Sequence, residues 1–343
     1  MSATSTDDRR MQPPADPTPA DAIFISWVRF HRRSEGIANA LDIPSYYVHS
    51  TVGGVLRRYA SQTRETIRIV RSTRPRTVIL MQPPVIALVV VWLLTLCKRT
   101  RIVGDLHSGV FLDPKWRWAM GLTLLLLRGK KHAAIVTNEP LARVSRRRSV
   151  RTFVLHDLVT EIGADSEAPT APEVVQSQGN APLVLVPLAY ANDEPVDAII
   201  AAARELSHAT WILTGKAPAK VRDGAPANVR FSGYVTNAEY DWLLRNSSVA
   251  VALTNREFTM QCVGYEAMSA AKPLVTSNTE SLRQFFGPSA VYAEPSAEAI
   301  LGAVSEALER EADLAELMTK QRSNQMVEQA RALEKLIAWM SVA

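Results

Sequence analysis

Apolar and polar positions along this 343-residue chain follow two rhythms that alternate. Short apolar runs of strand character stand at 23–27, 46–50, 77–81, 101–105, 133–137 and 152–155. Stretches at helical spacing separate them, beginning at 35–41 and 55–72. A second series has strands at 183–187, 210–214, 229–231, 249–253, 274–277 and 290–292, with helices at 196–205, 239–245, 264–271, 281–286, 297–310 and 313–340. Strands alternating with helices predict an α/β protein built from βαβ units on parallel sheets. Two series predict two Rossmann-like domains, at 23–166 and 183–325, with a final helix at 326–343. Between them, 167–182 is rich in Pro, Ser and Gln and reads as a linker, and 1–22 reads as a disordered tail.

Two apolar runs break this regularity. Residues 85–97 and 116–127 are shorter than the roughly 20 residues a membrane-spanning helix needs. The first is expected to be a buried helix of the sheet. The second contains Trp116 and Trp118 and is edged by Arg128, Lys130 and Lys131, so core and membrane interface are both open to it. Arg57, Arg58, Arg64, Arg68 and Arg71 recur at helical intervals, either as a solvated face or as a basic patch.

Charge sharpens the division. The net charge is +5, but through Pro182 the chain carries 25 Lys and Arg against 15 Asp and Glu, and after it 14 against 19. The first half is therefore the surface expected to meet an anionic partner, a membrane surface or a phosphorylated acceptor. No nucleic-acid recognition motif accompanies the charge. The two cysteines, Cys97 and Cys262, are far apart and offer neither a disulfide framework nor zinc spacing, which fits a cytoplasmic protein. The tail lacks the apolar core of a signal peptide. G-x-G-x-x-G is absent, so no dinucleotide cofactor is expected.

The richest polar loops lie in 249–278, a strand–loop–helix–strand unit. In a parallel sheet, ligands bind beyond the carboxyl ends of the strands, where helix N-termini offer N–H groups to an anion. A helix starting near Val263 would aim its N-terminus at a phosphate. Glu266 in its first turn would reach sugar hydroxyls, an arrangement suited to a nucleotide diphosphate ester. Carboxylates near a helix start also serve as ordinary first-turn charges.

Arg256, Glu257, Gly264, Tyr265-Glu266-Ala267-Met268, Lys272-Pro273-Leu274-Val275 and Ser277 resemble the donor-site segment of retaining GT-B glycosyltransferases. The resemblance implies two Rossmann-like domains facing each other across a cleft, with the last helix returning to the first domain. It implies that Glu266 binds the donor ribose and that the acidic residue before it, Glu257, touches the transferred sugar. Glu257 and Glu266 enclose eight residues where the family has seven. Without a D-x-D motif, the leaving phosphate needs cations rather than a metal ion, and Lys216 and Arg256 are the candidates. The family's usual basic position after the first strand falls in 188–195, which contains no Lys or Arg. Gly233 and Tyr234 resemble the turn that sets backbone groups against the nucleobase. In the first domain, Asp105 and His107 follow a strand where relatives face the sugar. They are candidates to take the acceptor's proton if the reaction inverts, or to orient the sugar if it retains. Arg29, Arg32 and Arg33 are candidates to pair with a phosphate on the acceptor.

The expected activity is hexosyl transfer from a nucleotide sugar to a lipid-linked saccharide in envelope or exopolysaccharide synthesis, at the membrane periphery. The rivals are a sugar-nucleotide epimerase of the same fold and a non-catalytic membrane- or anion-binding relative. A phosphorylase would need a pyridoxal lysine motif, and none stands out.

Overall fold

In the computed structural model, the described residues are 20–51, 53–96, 98–159, 171–175 and 181–341. The chain forms two compact units, Met1–Leu158 with Gln329–Ala343, and Val159–Glu328. The tail expected at 1–22 lies outside the described residues except for its last three, and Ala22 already belongs to the first strand.

The first unit runs β1 (Ala22–Ser26), α1 (Arg32–Ala40), β2 (Ser45–Tyr47), α2 (Val55–Thr73), β3 (Thr77–Gln82), α3 (Val85–Thr95), β4 (Arg101–Leu106), α4 (Ser108–Leu112), α5 (Pro114–Arg117), α6 (Met120–Leu126), β5 (Ala133–Val136), α7 (Glu139–Arg147) and β6 (Thr152–Val154). Its strands pair in parallel in the order β2-β1-β3-β4-β5-β6. From β3 to β6 each connection steps the same way, so right-handed crossovers put α3, α6 and α7 on one face. The step from β1 to β2 runs the other way and carries α1 to the opposite face. Packing agrees, since α3 lies against both α2 and α6. On the α1 side, Ile37 and Ala38 share a core with Phe24, Ile79, Val103 and Ile135.

Two local expectations are corrected here. The first helix starts at Arg32 rather than 35, because the His31 ring accepts the Ser34 N–H as an N-cap and draws the basic loop into the first turn. The run at 116–127 is not one helix. Asp113 caps α5, and a tight turn, Ala119 N–H to Trp116 O, separates it from α6.

The second unit runs β7 (Leu183–Val186), α8 (Val196–Glu205), β8 (Thr210–Thr214), α9 (Ala219–Asp223), β9 (Val229–Gly233), α10 (Asn237–Asn246), β10 (Val249–Ala252), α11 (Cys262–Ser269), β11 (Leu274–Ser277), α12 (Glu280–Phe286), β12 (Val291–Ala293), α13 (Ala297–Glu309) and α14 (Glu311–Ser341). The sheet is again parallel, in the order β12-β11-β10-β7-β8-β9. One face packs on α8 and α13 around Trp211, and the other on α10, α11 and α12. Alternate residues of the buried strands therefore feed two cores.

Part of the expected linker is packed. A 3-10 turn, Glu173–Val175, buries Val175 in the second core, and Val174 O accepts from Arg230. The last helix, expected at 313–340, runs Glu311–Ser341. Leu314 and Met318 are buried with the second unit, and Leu336 is buried in the core of the first. There Trp339 stacks near Phe153, and its carbonyl accepts from Arg101. Among the described residues, no helix is long and apolar enough to cross a membrane.

Candidate functional site

In the second unit, the loop after β10 is fastened at every turn. Ser277 Oγ accepts the Thr254 N–H and donates to the Thr254 carbonyl, both at 2.8 Å, which ties the ends of β10 and β11 together. Thr254 Oγ1 donates to Asp193 Oδ2 at 2.8 Å, and Asn255 N–H donates to the Asp193 carbonyl. Arg256 then lies along the same loop, 2.6 Å from Asn192 Oδ1 and 3.5 Å from Asp193 Oδ1. The 188–195 loop has no basic residue of its own, yet it holds Arg256 by two acceptors. Neither Asn192 nor Asp193 carried a recognisable signal in the sequence, because the partnership spans some sixty positions.

Glu257 sits at the start of α12. Its carboxylate accepts the N–H groups of Ser281 at 3.2 Å, Glu280 at 3.4 Å and Phe258 at 3.2 Å. It therefore caps α12 from outside the helix. Phe258, the residue in the family's register, has φ of 61° and turns the chain toward α11.

Helix α11 opens at Cys262 with Gln261 as N-cap, whose side chain donates to the Leu253 carbonyl instead of closing the helix end. Glu266 sits in the second turn, not the first. Its Oε2 accepts the hydroxyl of Tyr240, which comes from α10. Tyr240 was read from the sequence only as part of a helix. The T-x-x-E capping box Thr236/Glu239 fixes where that helix begins, and so where Tyr240 points. Gly264 is buried, and a Cβ there would come within 2.8 Å of Phe286 Cζ. The absence of a side chain there lets α11 pack closely on α12.

Beyond β8 and β9 the geometry depends on glycine. Gly215 has φ of 80°, and a Cβ would lie 2.1 Å from the Leu188 carbonyl oxygen. Gly233, at φ 68°, accepts from Gly215 N–H at 2.8 Å. This sets Lys216 and Tyr234 outward, and Tyr234 is 85 % exposed.

In the first unit, the sequence candidates separate. Arg29 and Arg32 are exposed, whereas Arg33 is buried. The Arg33 guanidinium reaches Asp105 Oδ1 at 2.9 Å, Asp157 Oδ1 at 2.8 Å and the Leu155 carbonyl at 2.9 Å. It joins the ends of β4 and β6 and is not placed to take an acceptor phosphate. Asp105 is fully buried. Burial by itself would raise its carboxyl, but Arg33 and His107 reverse this and hold it below the usual carboxylate range. Buried and hydrogen-bonded, Asp105 holds Arg33 and His107 in place. Its Oδ2 lies 3.2 Å from Nε2 of His107, which remains partly exposed. His31 packs edge-on against His107 at 4.8 Å, and burial, then His107, lowers its pKa to about 4. His156, next to Asp157, is lowered to about 3 by burial and then by Arg33. His31, His156 and Asp157 join this cluster, His31 from beyond β1 and His156 and Asp157 from beyond β6. Among the described residues, no group of His, Cys, Asp and Glu could hold a metal ion.

Residues 181–310 match the family model described as glycosyl transferases group 1. The match lies within the second unit. Solved structures extend the likeness to both units. HepE from Anabaena, in complex with UDP and glucose, is similar with a TM-score of 0.70 at 14% identity, over 94% of this chain and 100% of that chain. A sucrose-phosphate synthase from Thermosynechococcus elongatus gives 0.68 at 14%, over 93% and 100%. A putative UDP-N-acetylglucosamine 2-epimerase from Listeria monocytogenes gives 0.64 at 12%, over 93% and 95%. No curated protein matches by sequence. The fold is GT-B, and the family and the fold together support glycosyl transfer.

Proposed function

We propose that this glycosyltransferase moves a hexosyl group from a nucleotide-diphosphate sugar to a lipid-linked saccharide, without a metal ion, in the synthesis of an envelope or extracellular polysaccharide. The observation that carries the reading is the Glu266–Tyr240 pair within the family-matched segment. The Tyr240 hydroxyl directs this carboxylate, and a carboxylate is an acceptor suited to the two adjacent hydroxyls that a ribose presents. Arg256, held by Asn192 and Asp193, and Lys216 are the cations for the diphosphate. On the acceptor side, His107 is the group that meets substrate. With Nε2–H directed to Asp105, Nδ1 keeps the lone pair that receives a proton. Arg29 and Arg32 are left as the exposed cations for an acceptor phosphate. The protein would work in the cytoplasm at the membrane periphery, where such acceptors lie.

Calorimetric titration of UDP, GDP and ADP and of their sugars into the protein tests this reading. A nucleotide that binds wild type and loses about ten- to a hundredfold in Glu266→Ala supports it, as expected for charge-assisted hydrogen bonds. Wild-type affinity in that variant overturns it. The likeness to sugar-nucleotide epimerases keeps a second reading in view. Incubation with a nucleotide sugar alone separates the two, because an epimerase gives an isomeric nucleotide sugar and needs no acceptor.

A further inference from the structure

The first unit leaves an unusual surface on the side of its sheet that carries α2, α3, α6 and α7. Helix α3 buries Val85, Ala87, Leu88 and Val91 toward the sheet, while Leu93 and Leu96 stand 57 % and 52 % exposed. Helix α6 buries Thr123 and Leu124 and leaves Leu122 and Leu125 40 % and 57 % exposed, and Trp118, at the end of α5, is 72 % exposed. The two helices pack on each other. Lys131 donates to the Lys98 carbonyl, which joins the end of α3 to the loop after α6. Trp118 is tethered through its indole N–H to the Lys115 carbonyl at 2.9 Å.

Carboxylates are sparse on this face, and the exposed Glu139 of α7 and Glu65 of α2 are paired with Arg146 and Arg68. Residues 114–138 contain five Lys and Arg and no carboxylate, and 85–104 contain none either. Asp113, the acid next in sequence, is used as the cap of α5. Beside Leu125 a groove of about 190 Å³ lies between α6 and the end of α7, and Arg128, Arg147 and Arg148 line it. An exposed Trp and four Leu would cost solubility on a surface facing only water. A purely electrostatic partner would use the cations but not the leucines. Apolar side chains ringed by cations, with a Trp at the rim, match the interface of an anionic bilayer, where acyl chains and phosphates lie within a few ångströms of each other.

We infer that α3, α5–α6 and the end of α7 dock this protein on an anionic lipid bilayer, with Leu93, Leu96, Leu122, Leu125 and Trp118 entering the interface and the Arg128–Arg147–Arg148 groove taking a lipid phosphate. The inference names the surface behind the membrane-peripheral role proposed above, but it rests on the first unit alone.

Co-sedimentation of the full chain with vesicles tests it. One set is phosphatidylcholine, and the other contains about one third phosphatidylglycerol. Wild type is expected to bind the anionic set, and binding should weaken as salt rises. Arg147→Gln with Arg148→Gln should lower affinity roughly tenfold or more, at about fivefold for each cation near the surface. Leu93→Ser with Leu125→Ser should lower it at least as far, and the loss should persist at high salt. All four positions are exposed, so unchanged thermal midpoints and unchanged UDP titration separate a docking defect from misfolding and from failure of the donor-site reading. Wild-type vesicle affinity in both variants overturns the inference. So does failure of wild type to bind anionic vesicles at low salt. Binding to a DNA duplex that depends on the arginines but not the leucines, with no vesicle binding, assigns the face to nucleic acid and overturns it as well.

Discussion

The hydroxyl of Tyr240 donates to Oε2 of Glu266, joining α10 to α11 beside the carboxyl end of β10. One carboxylate oxygen is thereby fixed by the protein, and the side chain's direction is set before any ligand arrives. Such preorganisation lowers the ordering cost of binding. Tyr240→Phe should therefore weaken UDP binding about fivefold, the worth of one hydrogen bond of roughly 1 kcal/mol. Glu266→Ala should lose about ten- to a hundredfold. Calorimetry on the two single variants and the double variant gives the coupling, and a double variant equal to Glu266→Ala is expected.

Glu257 offers the contrast. As a cap on the first N–H groups of α12, its removal should cost about 0.5–2 kcal/mol of stability. UDP affinity should be unchanged. Chemical denaturation with a parallel nucleotide titration checks both halves, and a stable variant with weakened nucleotide-sugar binding would return Glu257 to the donor site.

Arg33 and Asp105 form a buried pair. Arg33→Met leaves the Asp105 charge without its guanidinium, and breaking a buried pair from one side costs about 3–5 kcal/mol. Adding Asp105→Asn should restore part of that loss. If Arg33→Met keeps wild-type stability in a denaturant melt, the pair is not a structural tie.

The same cluster sets a pH dependence. His31 and His156 titrate at about 4 and about 3 in the folded chain, against about 6.5 when unfolded. Between those values the unfolded chain binds more protons, so stability falls as pH drops from about 6.5 toward 4. Asp105 acts lower down. Its folded pKa is depressed, so its contribution is complete above about 3.9 and is lost as pH falls through the folded value. Denaturation midpoints should decline from pH 7 to pH 4.5, and His156→Asn should flatten that decline. A midpoint independent of pH over this range would contradict the buried, neutral histidines.

Gly264→Ala should destabilise by about 1–3 kcal/mol, because the new methyl meets Phe286 Cζ, itself inside the core. Thermal melts of Gly264→Ala alone and with Phe286→Leu check the cause. Partial recovery in the double variant is expected.

Much of this architecture was written into the order of residues. Periods of two and of 3.6 are local, so the strands and most longer helices of both units could be read without knowing what they touch, but the helices at 108–112, 139–147 and 219–223 could not. The segment 249–278 could also be read, because a strand, a loop and a helix in succession place Glu266 near a strand end whatever surrounds it. What the sequence could not decide were partnerships across the fold. Glu257 and Glu266 looked alike as carboxylates near a helix, but only folding brought the N–H groups of 280–281 to one and the Tyr240 hydroxyl to the other. Arg29, Arg32 and Arg33 looked like one cluster, and the single-residue difference in direction along the start of α1 buried the last against Asp105 and Asp157. The apolar run at 85–97 told only that a helix would form. Which of its leucines entered the core and which stayed exposed was settled by α2 and α6 packing beside it, since burial is a property of neighbours and not of the residue.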